Sequence, residues 1–139
     1  MSNFERVIVT CNNDYEVTFA IDHSKINEAQ WHQLNNFWID AEDRLDEADG
    51  NVMTAVLVHL AKHCMCLQVT HDYNSYGVMS AFDCEKGEGQ EGWPKMDGSQ
   101  GILIQHCEPF EFVVDPDCDV TSKAIDAMPK LPRPSEEWL

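Results

Sequence analysis

The sequence predicts an α+β fold: one antiparallel sheet of three to four strands with two helices packed on one face, in the order β-β-α-α-loop-β-β. Three observations carry this. Two β-rich segments, 4–10 and 15–21, flank the turn signal Asn12-Asn13-Asp14. Two helical patterns follow, with an N-terminal cap at Asn27 and a break at Asp49-Gly50-Asn51. A stretch holding six of the seven glycines then leads to two short apolar segments, 102–106 and 111–114.

The elements can be justified in order. Tyr15, Val17, Phe19 and Ile21 alternate with Glu16, Thr18 and Ala20, the period-two pattern of a half-buried strand; with 4–10 it makes a hairpin. Asn27 with Gln30 three residues on is a capping box, and Ile26 with Trp31 is a hydrophobic staple. Trp31, Leu34, Phe37/Trp38, Ala41 and Leu45 then keep helical spacing, so one helix is expected up to Asp49. Residues 51–67 are apolar on nearly all sides and read as a central helix. Residues 71–101 read as loop, with Trp93-Pro94 plugging it onto the core. Glu108-Pro109 separates the last two strands, 119–128 reads as a short helix, and 129–139, with three prolines, as an extended or mobile tail. Residues 1–128 are thus expected to form one domain.

The charge is the outstanding compositional feature. There are 25 Asp and Glu against 9 Lys and Arg, a formal net of −16, beyond the roughly 2–8 charges that solubility asks of a small domain. Such a field repels phosphate, so direct nucleic-acid binding is not expected; it attracts basic partners. No apolar run reaches bilayer-spanning length, and the N-terminus lacks a signal-peptide pattern, so a cytoplasmic protein without membrane contact is expected. The six cysteines are then thiols.

Four chemical readings of the side chains are weak. His63, Cys64, Cys66 and His71, with His106 and Cys107 elsewhere, offer soft metal ligands, but Cys64 and Cys66 on a helix point to different sides. No Cys–His or Ser–His arrangement has a catalytic context, and an acidic field opposes thiolate formation. Gly87–Gly92 fits GxGxxG but carries two glutamates and opens no helix. The acids at 40–49 and 115–119 lack the calcium-loop pattern. No enzyme, metal or cofactor is expected, and a small metal-binding or thiol-dependent protein is the alternative.

The acids themselves are the stronger candidates. Asp40, Glu42, Asp43, Asp46, Glu47 and Asp49 crowd the first helix, and Glu85, Glu88 and Glu91 the glycine-rich loop. Gathered on one side, they would present negative charge at a density comparable to DNA, with one phosphate per about 1.7 Å of duplex axis. These nine residues are the expected contacts for a basic, nucleic-acid-binding host protein. A homodimer is left open.

Glu16–His23, Asn36-Phe37-Trp38, Glu42, Arg44-Leu45, Asp49–Val52, Glu91–Pro94, Asp97-Gly98 and Gly101-Ile102 together resemble a bacterial and phage family, domain of unknown function 2528. The resemblance covers roughly 14–105; residues 63–80 and the tail depart from it. It implies carriage on phages, prophages or plasmids, and no residue inherits a role from it. By analogy with small acidic proteins of mobile elements, it suggests an inhibitor of host defence, of the anti-CRISPR or anti-restriction kind.

Overall fold

A computed structural model describes residues 3–11, 15–85, 87–108 and 118–133. Strands β1 (Phe4–Cys11) and β2 (Tyr15–Asp22) pair antiparallel from Phe4↔Asp22 to Cys11↔Tyr15, the hairpin that the alternation implies. The turn signal at 12–14 lies outside the described residues. Opposite residues of an antiparallel pair share a face. Val7, Val9 and Cys11 therefore stand beside Phe19, Val17 and Tyr15, and all six are buried. β3 (Ile102–Cys107) joins β2, and β4 (Cys118–Ile125) joins β1, giving the antiparallel order β3-β2-β1-β4.

α1 (Glu28–Asn36) begins as its capping box dictates: Gln30 N donates to Asn27 Oδ1 at 2.9 Å, and Asn27 N donates to Gln30 Oε1 at 2.8 Å. Ile26 and Trp31 are both buried. The single long helix expected after Asn27 is instead two, α1 and α2 (Ala41–Glu47). The chain turns at 37–40, with Asp40 in the left-handed region at φ 67°. The physical reason lies in two adjacent aromatics. On a continuous helix Phe37 and Trp38 diverge by about 100°, and only one could pack. The turn lets Trp38 lie against His59 and Trp93 while Phe37 abuts Gly92.

α3 (Val52–His71) is the central helix, capped by Asn51 Oδ1 accepting from Thr54 N at 3.0 Å. Val56, Leu57, Leu60, Ala61 and Cys64 are buried in the core with the inner sheet face. By length and composition α3 could cross a bilayer. This corrects the expectation that no apolar run in the sequence reaches that length. Within the fold its apolar face is the core.

Two further differences concern the second half. The stretch read as loop, 71–101, contains a short helix, α4 (Ser75–Ala81), started by Asn74 Oδ1 accepting from Gly77 N. Trp93 does plug the remaining loop into the core, at 8% exposure. The short helix expected over 119–128 is the edge strand β4 over 118–125. A helix would have satisfied those backbone groups locally, but it would have left the N–H and C=O groups along the outer edge of β1 unpaired. Val120 opposite Val9 places apolar on apolar in the observed pairing. The strand expected at 111–114 lies outside the described residues.

Candidate partner-binding site

The break between α1 and α2 builds the site. Arg44, one turn into α2, reaches back to the strained turn. Its Nη1 donates to Ile39 O at 2.5 Å. Its Nη2 donates to Asn35 O at 2.7 Å and Trp38 O at 3.1 Å, and its Nε to Asn35 Oδ1 at 2.9 Å. Asn35 Nδ2 completes the knot by donating to Ala41 O at 3.1 Å. Guanidinium geometry suits this task, because its donors diverge in one rigid plane. Burial lowers the Arg44 pKa from its ordinary value, with the Asp40 charge acting in the opposite direction.

Arg44 is the one cation within the run 40–49, and its hydrogen bonds go to neutral acceptors. Among the described residues, no ion pair involves an α2 carboxylate. A groove of about 1240 Å³ runs between α2, the first half of α3 and β4. Asp40, Asp43, Glu47 and Asp49 line it together with Glu5 and Asp119, and Arg44 and Lys62 are its arginine and lysine members. The clamped turn that precedes Asp40 in the chain exposes Ile39 at 85% and Phe37 at 52%.

The structure therefore divides the sequence candidates. Asp40, Asp43, Glu47 and Asp49 come together on the groove. Glu42 and Asp46 are exposed on α2 outside its lining. Glu85 is 2.8 Å from Lys95 Nζ, which also lies 3.8 Å from Asp83, so its charge is locally offset. Glu88 and Glu91 are exposed on the loop that Gly92 packs against Phe37. The metal candidates do not gather: among the described residues, no group of three or more His, Cys, Asp and Glu side chains could hold a metal ion. Cys64 and Cys107 are buried, Cys66 is exposed, and His71 stacks on Tyr73 at 4.8 Å.

Sequence reasoning missed the clamp, Lys62 and the β4 wall. The clamp had one signal, a lone Arg inside an acidic run. The β4 wall had none, since 119–128 read as a helix.

Under the groove lies a cluster of Trp38, His59, His63, Phe82 and Trp93, with ring centroids of 5.4 Å for Trp38–His59 and 5.9 Å for Trp38–Trp93. His63 Nε2 meets Gln90 Oε1 at 2.9 Å. Burial, then the charges of Arg44, His63 and Lys62, push the His59 pKa from 6.5 down to about 4. The sign follows. Below pH 6.5 the unfolded chain takes up a proton that folded His59 refuses until about pH 4, so stability is lost as pH falls through that window. Allowing for partial exposure, the loss by pH 5 is about 1–2 kcal/mol. His59→Gln should lose that much less than the wild type between pH 7 and pH 5 in urea unfolding. Equal losses in the two proteins would contradict it.

The comparisons with known proteins agree on a family. The model of the family described as "Protein of unknown function (DUF2528)" matches residues 16–121. Protein ea10 of Escherichia phage lambda and the lambda prophage-derived protein ea10 of Escherichia coli O6:H1 are each 43% identical over 124 residues. The match covers 89% of this chain and 99% of each relative. No solved structure matches. The order of matched elements, from β2 through the clamped turn and α3 to β4, is the part of the fold that builds the groove, and the chain belongs to this DUF2528 family, with relatives in a phage and a prophage.

Proposed function

We propose that the protein acts by binding rather than catalysis, as a phage-type inhibitor that occupies the basic nucleic-acid channel of a host defence complex of the anti-CRISPR or anti-restriction target class. One observation carries this reading. Four carboxylates, Asp40, Asp43, Glu47 and Asp49, line one groove and form no ion pair among the described residues, while the hydrogen bonds of the neighbouring Arg44 go to backbone and amide oxygens, although its charge lies near Asp40. Unneutralised, closely spaced carboxylates repel one another, and a basic partner relieves that repulsion. The exposed Ile39 and Phe37, in the turn leading to Asp40, add apolar surface that a partner could bury. The phage and prophage relatives support the mobile-element setting.

The test is capture of host proteins on the immobilised chain at low salt, followed by elution with salt or with duplex DNA. Basic nucleic-acid-binding proteins should be retained. They should be released steeply as salt rises, because exposed charges are screened beyond about 10 Å at 0.1 M. Duplex DNA should compete, and labelled DNA alone should not bind the chain. Retention indifferent to both salt and DNA, or direct DNA binding, would remove this reading.

A further inference from the structure

Cys11 and Cys118 are directly opposite in the β1–β4 register. Opposite residues of an antiparallel pair have Cα atoms about 4.5 or 5.5 Å apart, and both spacings fall inside the range a disulfide spans. Their side chains share a face, with the two thiols within hydrogen-bonding contact. Access differs between them. Cys11 is fully buried, while Cys118 is half-buried and lines the acidic groove. Cys64 and Cys107 make a second thiol contact, but both are fully buried.

We propose that Cys11 and Cys118 form a thiol–disulfide exchange site, which takes a small cationic disulfide such as cystamine through the acidic groove and closes into a bond joining β1 to β4. The thiolate of Cys118 attacks one sulfur of cystamine, whose S–S bond breaks. One cysteamine leaves as thiolate and takes a proton from water. Cys11 then gives its proton to solvent, and its sulfur attacks the Cys118 sulfur of the mixed disulfide, expelling the second cysteamine. Two protein thiols are oxidised and one cystamine is reduced to two thiols.

The order of attack follows from the surroundings. The hydrogen bond with Cys118 and burial both push the Cys11 thiol up, so the groove-facing sulfur attacks first. Lys62, whose charge favours the Cys11 thiolate, lines the same groove. The product bond closes residues 11–118 of the 139 into a ring, which restricts the unfolded state strongly. It also fastens the edge strand that forms one groove wall.

The experiment exposes the purified chain to cystamine, alkylates the remaining thiols and maps peptides without reduction. A peptide linked through Cys11 and Cys118 is expected, with Cys64 and Cys107 alkylated only after unfolding. The melting temperature should rise by roughly 10 °C and fall back on adding dithiothreitol. The Cys66→Ser/Cys84→Ser variant, which lacks the two exposed thiols, should behave like the wild type; Cys118→Ser should form no link. Cysteamine resting stably on Cys118 with Cys11 still alkylatable would overturn the proposal, as would an unreactive Cys118 or a Cys64–Cys107 link in its place.

Discussion

Gly92→Ala is expected to destabilise the protein by about 3 kcal/mol, lowering its melting temperature by roughly 10 °C. Two effects add. Gly92 sits at φ 85°, where a side chain costs about 1–2 kcal/mol of backbone strain. A Cβ there would also lie 2.4 Å from Phe37 Cδ1 and 2.9 Å from Trp38 Cζ2. Phe37 is half exposed and can swing aside. Trp38 cannot, because it is held between His59 and Trp93. Gly50 provides the control: at φ 83° it has nothing within 4 Å of the same added atom. Gly50→Ala should therefore show the strain alone, about 1 kcal/mol. Urea unfolding of the two variants separates the contributions, and equal destabilisation would mean that the Phe37/Trp38 contact is not the constraint described.

Arg44→Met is expected to cost about 2–3 kcal/mol, since it strands the acceptors Ile39 O, Asn35 O, Asn35 Oδ1 and Trp38 O that the guanidinium now serves. The variant keeps most of the aliphatic stem, so lost packing contributes little. Arg44→Lys should recover less than half, because a single ammonium cannot reach acceptors that diverge around a planar fork. A second readout is independent of stability. The Arg44 charge helps hold the His59 pKa at about 4, so the His59 titration should move upward in Arg44→Met. A fully stable Arg44→Lys protein would reduce the clamp to a point charge.

Much of the first half of the chain was legible in the sequence because its signals are local. The Asn27/Gln30 box and the Ile26–Trp31 staple act within one turn, and the Tyr15–Ile21 alternation needs only a sheet with one buried face. The family resemblance was readable for the same reason, in short combinations such as Asn36-Phe37-Trp38 and Glu91-Gly92-Trp93-Pro94. What escaped was decided by distant partners. Residues 118–125 become a strand because β1 offers an unsatisfied edge more than a hundred positions earlier in the chain. The period of the first helix runs unbroken through Phe37–Asp40, and its interruption reflects where Trp38 can pack. The groove inherits both gaps. Four of its acids were visible as an acidic run, but the facing wall depends on β4, and the openness of the charge depends on where Arg44 points.

The most direct measurement compares the wild type with a variant carrying Asp40→Asn, Asp43→Asn, Glu47→Gln and Asp49→Asn, by quantifying the basic host proteins each retains at low salt. Asn tolerates the left-handed backbone of Asp40 and Asp49, and relief of like-charge repulsion should keep the variant as stable as the wild type in urea. The expected result is a folded variant that has lost retention, while neutralising Glu85, Glu88 and Glu91 has a smaller effect. Undiminished retention by the folded groove variant would contradict the account.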